Sequence, residues 1–376
     1  MQIKPFGVEM WMNEFETKCE LNLAETCVDS ITFGELLDLT GKHNSGLDEI
    51  LPMRLGYGDI EGSPRLRDAI AALYAKQSRD NVLVCHGTIG ANALVHQALV
   101  ERGDHVIAVV PTYQQHYSIP ESIGAEVTPL RLQEKDGFLP DLAALKALLR
   151  PETKLIALNN PNNPTGALID AAMLSEIAAI ARSVGAWILC DEVYRGLDQT
   201  GNGYTASIAD LYEKGISTAG MSKAYSLAGL RLGWIAAPKP VLEAAMIHRD
   251  YNTISVGRLD DHFAALALEH RDKIMARAHR ITRENLALLD EWVKGEKRIS
   301  WVKPRSGTTA LLKYDLPMTS RDFCLALLEE QGVMLCPGSA LEMEGWVRMG
   351  FAQKAEVMRE GLARMSRFLG RRGRRS

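Results

Sequence analysis

Short apolar runs alternate with helix-like patterns along the middle of the chain, between residues 82 and 236. Runs rich in Val, Ile, Leu and Ala predict strands at 81–85, 105–109, 126–130, 155–158, 186–190, 216–218 and 232–236. Apolar residues at helical spacing predict helices between them at 91–102, 142–149 and 171–184. Because strands that alternate with helices favour crossover connections, the pattern predicts an α/β fold with a mostly parallel sheet covered on both faces.

From about residue 260 the pattern changes to a long helical stretch followed by short strands. It predicts helices at 260–294, 321–331 and 354–368, and strands at 309–312 and 346–350. These elements form a smaller α+β layer, which the N-terminal residues join through an arm at 5–20. We therefore predict an N-terminal arm and part of the small domain at 1–45, a large domain at 46–260 and a C-terminal small domain at 261–376.

The composition is that of an ordinary soluble globular protein, with 46% hydrophobic and 24% charged residues. A net charge of −4 gives no reason to expect binding to nucleic acid or membranes, and no apolar stretch approaches the ~20 residues of a membrane span. The arginine-rich end at 367–375 could bind a polyanion, but a solvated terminus explains it better. Because the six cysteines show neither paired nor metal-ligand spacing, and no secretory leader is present, we predict a cytoplasmic protein without a metal site.

Polar side chains follow two of the predicted strands, at the strand ends where ligands bind in such sheets. Two Asn-Pro dipeptides stiffen the turn at 159–166, which fixes the direction of side chains such as Asn163. Asp191 ends an apolar run, and a carboxylate buried there needs a partner such as a protonated ring nitrogen. Capping of a helix is the alternative role for Asp191.

Three weaker signals point to phosphate and to a planar ring. Thr88 and Ile89 follow a strand and open a helix, so their free amides could bind an anion, although a structural turn would look the same. Tyr113 ends another strand and could stack on a ring or be an ordinary surface aromatic. Tyr57 precedes a helix that Ser63 is expected to cap. The Tyr57 hydroxyl could reach a phosphate or lie at an interface.

The most informative segment surrounds Lys223, which lies among small residues with Arg231 downstream. Partial burial would disfavour the charged form of Lys223 and leave a nucleophilic amine for a carbonyl partner. Arg231 offers a planar, permanently charged group suited to phosphate. Carbonyl capture beside a phosphate anchor is what pyridoxal 5′-phosphate (PLP) requires of a protein. Further along, Arg348 lies mid-strand between apolar neighbours, where a carboxylate partner would justify it.

Together, the motifs between residues 57 and 351 resemble those of the fold-type I, class I/II PLP-dependent aminotransferase family. The resemblance implies a large domain with a mostly parallel seven-stranded sheet and a smaller α+β domain. It also implies PLP as the cofactor, amino acids and keto acids as substrates, and a homodimer whose active sites lie at the subunit interface.

The resemblance assigns one group of residues to the phosphate of PLP. These are Arg231, the amides of Thr88 and Ile89, and Ser222, with Tyr57 reaching across to the partner's phosphate.

A second group would handle the ring and the substrate. The resemblance makes Lys223 the Schiff-base lysine and the base that removes the α-proton. It places Tyr113 on the ring face, Asn163 and Tyr194 at the phenolic oxygen, and Asp191 at the ring nitrogen. By the same resemblance, Arg348 would bind the α-carboxylate of the substrate, beside Asn163.

Two positions depart from the family pattern. The family usually carries a serine three residues before the lysine as a phosphate ligand, whereas this chain has Gly220, for which Ser222 is a possible substitute. Near the N-terminus the family usually has a glycine-containing substrate loop, whereas this chain reads Leu-Ala-Glu-Thr-Cys-Val at 23–28. Glu25 would therefore either face solvent or enter the pocket, where it suits a cationic substrate side chain.

Three functions follow from these observations. Aminotransferase is the leading hypothesis. The 23–36 region also looks like the capreomycidine-synthase-like branch, so a PLP-dependent lyase or cyclase that eliminates and cyclises a hydroxylated basic amino acid such as hydroxyarginine is the second. A PLP-binding sensor without catalysis is the third, and an intact Lys223 argues against it.

Overall fold

The computed structural model describes residues 2–43 and 45–372. Its helices are α1 (Gly7–Phe15), α2 (Phe33–Thr40), α3 (Pro64–Ala71), α4 (Gly87–Leu99), α5 (Gln115–Ile123), α6 (Leu142–Leu148), α7 (Ala171–Arg182), α8 (Ile208–Leu211), α9 (Lys239–Asp250), α10 (Arg258–Glu269), α11 (Arg271–Gly295), α12 (Ser320–Gln331) and α13 (Ala355–Arg372). Its strands are β1 (Leu21–Asn22), β2 (Val82–His86), β3 (His105–Val110), β4 (Glu126–Arg131), β5 (Thr153–Asn159), β6 (Trp187–Asp191), β7 (Gly215–Gly220), β8 (Leu232–Ala236), β9 (Ile299–Trp301), β10 (Thr309–Tyr314), β11 (Val333–Met334), β12 (Cys336–Pro337) and β13 (Trp346–Gly350). Short 3₁₀ helices lie at Arg79–Asn81, Glu134–Asp136, Ala228–Leu230 and Gly338–Leu341.

A seven-stranded sheet forms the centre of the larger layer, with the strand order β2-β8-β7-β6-β5-β3-β4. Strands β3 to β7 pair in parallel, and β8 runs antiparallel to both of its neighbours. The predicted mostly parallel sheet is therefore confirmed. Asn159 and Asp191 end adjacent strands and are direct register partners, which places both polar side chains at one edge of the sheet.

Alternate residues of the central strands face two different apolar cores, as the two-residue period of a strand requires. In β2, Val82 and Val84 pack in a core with α3 and α10, whereas Leu83 and Cys85 pack in a core with α4 and α9. The sheet is thus buried on both sides, and the polar residues at its strand ends lie between helical layers.

The second layer contains a four-stranded antiparallel sheet with the order β12-β13-β10-β9. Helix α1 packs on it through Val8, Trp11 and Phe15, and the Trp11 indole N–H donates to the carbonyl oxygen of Leu335 at 2.8 Å. Strand β1 pairs in parallel with β11. In contrast, α2 packs into the core shared with α3 and α10, so the N-terminal residues contact both layers.

The helix predicted at 260–294 is two helices, α10 and α11, which meet at His270. The Nδ1 atom of His270 lies 3.0 Å from the carbonyl oxygen of Leu266, and the His270 amide bonds the carbonyl oxygen of Ala267. A side chain that competes for a helix carbonyl interrupts the regular ladder of backbone hydrogen bonds. This contact depends on the rotamer of one side chain, which the apolar pattern does not reveal.

Residues 373–376, which include the last part of the arginine-rich end, lie outside the described residues. Among the helices of the described part of the chain, none combines the length and apolar character needed to cross a membrane.

Candidate active site

A cavity of about 310 Å³ is lined by the last residues of β5 and β6 and by helix α1. It brings together nearly all of the predicted site residues: Glu25, Thr88, Ile89, Tyr113, Asn163, Asp191, Tyr194, Ser222, Lys223, Arg231 and Arg348. Tyr57 does not line the cavity and is 81% exposed.

Asp191 is buried, and its carboxylate is fixed from several directions. Its Oδ2 accepts a hydrogen bond from Asn92 Nδ2 at 2.8 Å, and its Oδ1 accepts one from the amide of Val193 at 3.0 Å. His116 Nε2 lies 3.6 Å from the same Oδ2. A turn rather than a helix follows Asp191, so the alternative role as a helix cap is wrong. The geometry instead fits a carboxylate held ready for a cationic group in the cavity.

Asn92 is a site residue that the sequence analysis missed. It is buried on α4, donates to Asp191, and accepts from Thr218 Oγ1 at 2.6 Å. Asn92 lies four residues after Thr88, which is helical spacing, so both side chains lie on one face of α4. That spacing from Thr88 was the signal that the sequence offered.

Arg348 lies on β13 and is 2% exposed. Its Nη1 donates to Asn163 Oδ1 at 3.3 Å, and its Nη2 donates to the carbonyl oxygen of Ala24 at 3.1 Å. Its Nε has no hydrogen-bond partner among the described residues. A buried guanidinium that bonds neutral oxygens still lacks its counter-charge, so an anionic group in the cavity would stabilise it.

Lys223 lies in the loop after β7. Its Nζ donates to Thr26 Oγ1 at 2.8 Å, with Cys27 Sγ at 3.4 Å and Glu25 Oε1 at 3.9 Å. Burial lowers the pKa of Lys223. Cys27, Tyr194 and Glu25 act in the opposite direction and outweigh burial, so the pKa of this amine is raised.

The expectation that burial would leave Lys223 uncharged is therefore wrong for the protein without a bound carbonyl compound. The causes are Cys27, Tyr194 and then Glu25, and the loop at 25–27, which is far from Lys223 in sequence, supplies two of the three.

Two tyrosines, Tyr113 and Tyr194, line the cavity. Tyr194 is 2% exposed, and burial raises the pKa of its hydroxyl. The Tyr113 hydroxyl donates to Glu9 Oε1 at 2.5 Å, and the ring of Phe6 packs 4.6 Å from the Tyr113 ring. Burial, with Glu9 beside it, raises the pKa of Tyr113, so both hydroxyls stay protonated at neutral pH. Helix α1 thus fixes the orientation of the Tyr113 ring.

Arg231 and the start of α4 form a candidate phosphate site. The guanidinium of Arg231 lies against Gly87, because a Cβ at Gly87 would be 3.0 Å from Arg231 Nη2. Gly87 has φ +64, a left-handed conformation that favours glycine. The hydroxyl of Thr88 is buried and has no hydrogen-bond partner among the described residues. A cation, free helix-start amides and an unpaired hydroxyl together suit a phosphate group.

Thr88 also accounts for the glycine at position 220. A Cβ at Gly220 would lie 2.6 Å from Thr88 Oγ1, 2.9 Å from the carbonyl oxygen of Leu232 and 3.1 Å from the Cα of Gly233. A serine therefore does not fit, because the threonine hydroxyl occupies the neighbouring space. The Thr88 hydroxyl therefore lies beside the position at which the family pattern leads one to expect a serine.

Glu25 lines the cavity with its side chain 39% exposed. Its Oε1 accepts hydrogen bonds from the amides of Thr26 at 2.6 Å and of Cys27 at 2.8 Å. Burial raises the pKa of Glu25, but Lys223 and these hydrogen bonds lower it by more, so the net pKa is lowered and the group is ionised. The Glu25 carboxylate is therefore part of the cavity wall, and its hydrogen bonds to the backbone also stabilise the loop at 25–27.

Tyr57 lies in a segment with several exposed apolar side chains. Leu51 is 77% exposed and Leu55 is 78% exposed, beside Leu47 at 48%. Several large apolar side chains exposed along one segment are typical of a surface that another protein covers.

Comparison with known proteins agrees with this geometry. The family model for aminotransferase class I and II matches residues 44–365. The chain is 32% identical to capreomycidine synthase of Streptomyces vinaceus, over 98% of this chain and 95% of that protein.

Two solved structures are similar over nearly the whole chain. One is a PLP-dependent aminotransferase from Streptococcus suis, with 43% identity and a TM-score of 0.96, covering 99% of both chains. The other is the PLP-dependent cyclase OrfR, with 29% identity and a TM-score of 0.91, covering 99% of this chain and 98% of that chain.

Proposed function

The chain belongs to the class I and II aminotransferase family and is a PLP-dependent enzyme, and from this premise we propose that it transfers the α-amino group of an amino acid to a keto acid. The observation that carries the proposal is the joint presence of Lys223, Asp191 and Arg348 in one cavity. These groups supply an amine, a buried carboxylate and a guanidinium whose hydrogen bonds within the described residues go only to neutral oxygens.

The residues of the cavity fit the phosphate and the ring nitrogen of PLP. Bound PLP supplies a carbonyl group for a primary amine and a protonated ring that accepts electrons from the α-carbon. The unpaired hydroxyl of Thr88, with Arg231, the amide of Ile89 and Ser222, would hold the phosphate. Asp191 would keep the ring nitrogen protonated.

The remaining side chains would orient the ring. Tyr113 would lie against one face, where its bond to Glu9 already fixes its direction. Asn163 and Tyr194 would reach the phenolic oxygen, since both line the cavity near Arg348 or Lys223.

Lys223 and Arg348 would act on the amino acid itself. Arg348 would bind the α-carboxylate through its planar guanidinium. That contact would present the α-hydrogen to Lys223, whose amine accepts the proton and later returns it. Since one substrate leaves before the second binds, ping-pong kinetics are expected.

Gly220 gives a first prediction about cofactor binding. We expect Gly220→Ser to lower the affinity for PLP about tenfold, because the added Cβ would collide with Thr88 Oγ1 and a backbone carbonyl. Absorbance titration of the apoenzyme with PLP measures this. Combining Gly220→Ser with Thr88→Ala removes the contact with the threonine hydroxyl but not those with the backbone of Leu232 and Gly233, so only part of the affinity should return.

Gly229→Ala is the matched control, because a Cβ there meets nothing within 4 Å and leaves PLP binding unchanged. Wild-type affinity in Gly220→Ser would contradict the steric account.

A PLP-dependent lyase or cyclase is the second candidate function. It would use the same cofactor residues and differ in what happens after proton removal. The ionised Glu25 in the cavity wall favours a substrate with a cationic side chain, such as hydroxyarginine, by charge attraction. The similarity to capreomycidine synthase and to the cyclase OrfR gives further support.

Product analysis separates the two functions. We incubate the holoenzyme with single amino acids, including arginine, ornithine and hydroxyarginine, and identify the products by mass spectrometry. Transamination predicts a keto acid together with conversion of PLP to pyridoxamine phosphate. Ammonia, loss of water or a cyclic product, without pyridoxamine phosphate, would instead establish the second function and overturn the first.

We further propose that the enzyme is a homodimer with shared active sites. The exposed Tyr57 and its apolar neighbours Leu51 and Leu55 would lie at the subunit interface. In that arrangement the Tyr57 hydroxyl would reach the phosphate site of the partner.

A further inference from the structure

The loop at 22–28 is packed directly against the segment that carries Lys223. The amide of Val28 donates to the carbonyl oxygen of Lys223 at 3.3 Å. On its other side the loop contacts β13 so closely that a Cβ at Gly350 would lie 1.8 Å from the carbonyl oxygen of Glu25. The loop is therefore held between the lysine segment and the strand that carries the substrate-binding arginine.

Two side chains fix the backbone of this loop from outside. Arg348 Nη2 donates to the carbonyl oxygen of Ala24 at 3.1 Å. Thr308 Oγ1 donates to the carbonyl oxygen of Thr26 at 2.6 Å. Because both bonds are buried, the position of the Thr26 side chain is defined by the fold and not by solvent.

Thr26 and Cys27 present hydrogen-bond acceptors to the amine of Lys223. The distances from Lys223 Nζ are 2.8 Å to Thr26 Oγ1 and 3.4 Å to Cys27 Sγ. An uncharged amine has two N–H bonds and one lone pair. If these two acceptors take the two N–H bonds, the lone pair points away from the loop and into the cavity that Lys223 lines.

The hydrogen-bonding capacity of Thr26 and Cys27 agrees with this arrangement. A hydroxyl oxygen carries two lone pairs, so Thr26 Oγ1 can accept a hydrogen bond from Lys223 whatever its own proton does. Burial raises the pKa of the Cys27 thiol to about 11, so the sulfur accepts without carrying a charge at neutral pH.

Glu25 holds the two acceptors in place. Its Oε1 binds the amides of both Thr26 and Cys27, and lies 3.9 Å from Lys223 Nζ. One carboxylate thereby fixes the loop and supplies the counter-charge for the amine after it has gained a proton.

We propose that Thr26 and Cys27 are positioning residues for Lys223. They orient its free amine so that the lone pair faces the α-hydrogen of the substrate, and Glu25 holds both residues in place. The proposal rests on the proposed function of Lys223 as the base. In the step concerned, the Cα–H bond breaks and an N–H bond forms on Lys223, whose positive charge then lies beside the Glu25 carboxylate.

Thr26→Val and Thr26→Ser test the proposal, because valine keeps the shape and serine keeps the hydroxyl. The measurement is exchange of the substrate α-hydrogen in D₂O, followed by NMR, with the holoenzyme. We expect Thr26→Val to slow exchange about tenfold to a hundredfold, because a misaligned base loses part of its effective concentration. Thr26→Ser should stay within about threefold of wild type, and PLP content should be equal in all three.

The amino acid concentration at half-maximal rate should change less than twofold in Thr26→Val, because binding of the α-carboxylate does not involve this hydroxyl. Thr282→Val is the matched control, since it removes a buried threonine hydroxyl that bonds a helix carbonyl, and should exchange like wild type. Wild-type exchange in Thr26→Val, or equal losses in Thr26→Val and Thr26→Ser, would overturn the proposal.

Two further outcomes are distinguishable. If wild type itself does not exchange the α-hydrogen of any amino acid, the proposed function fails rather than the positioning role. If Thr26→Val does not fold, Thr26→Ala against Thr26→Ser makes the same comparison, with the same expected loss and recovery.

Discussion

Lys223→Ala is expected to abolish exchange of the substrate α-hydrogen, with a loss of roughly 10⁴-fold, at the upper end of what one positioned acid–base group contributes. The reason is that the amine of Lys223 is the proposed base and lines the cavity, whereas alanine has no group that accepts a proton. The visible absorbance that PLP acquires on its lysine should disappear as well. Exchange is measured by NMR in D₂O and absorbance by a spectrum of the purified protein.

Two controls separate this effect from a damaged fold. Lys214→Ala removes a lysine whose Nζ bonds the carbonyl oxygen of Gly185 outside the cavity, and it should exchange like wild type. A small primary amine added to Lys223→Ala should restore part of the exchange, because the cavity that it needs is still present. An unchanged rate or spectrum in Lys223→Ala would remove this residue from the mechanism.

Asp191→Asn is expected to retain PLP but to slow α-hydrogen exchange by about 10²–10³-fold, comparable with the loss of one electrostatic stabiliser. Asparagine keeps the shape of the side chain but cannot hold a proton on the ring nitrogen. The change also disturbs the contact with Asn92, whose amide now donates to a neutral oxygen. PLP content is read from absorbance after denaturation, and exchange from NMR.

Glu192→Gln is the matched control, because Glu192 is the adjacent buried acid and does not line the cavity. Its carboxylate accepts from Ser207, Ser217 and the amide of Ile208. Some loss of stability is therefore expected, but exchange per molecule of folded holoenzyme should stay near wild type. Full exchange activity in Asp191→Asn would mean that the acid is structural.

The central sheet could be predicted from the sequence, because its strands are short apolar runs bounded by polar residues. The polar residues at the edge of the sheet could also be predicted, because Asn159 and Asp191 are the last residues of β5 and β6. Sequence patterns of this kind involve only a few neighbouring residues, and the same residues form the strands of the folded protein.

The surroundings of Lys223 could not be predicted, because they come from a loop almost two hundred residues earlier in the chain. The sequence suggested an amine made neutral by burial, whereas Glu25, Thr26 and Cys27 surround it with a carboxylate and two acceptors. Likewise, the fit between Gly220 and Thr88 joins the end of β7 to the start of α4, which no local pattern connects. Side-chain contacts over such separations are set by packing and not by periodicity.

The central claim is that Lys223 carries the cofactor of this enzyme. Reduction of the holoenzyme with borohydride, followed by proteolysis and mass spectrometry of the peptides, tests it most directly. We expect the added mass of reduced PLP on the peptide that contains Lys223, and on no peptide of Lys223→Ala. The same mass on a different lysine, or none on the wild-type peptide, would contradict it.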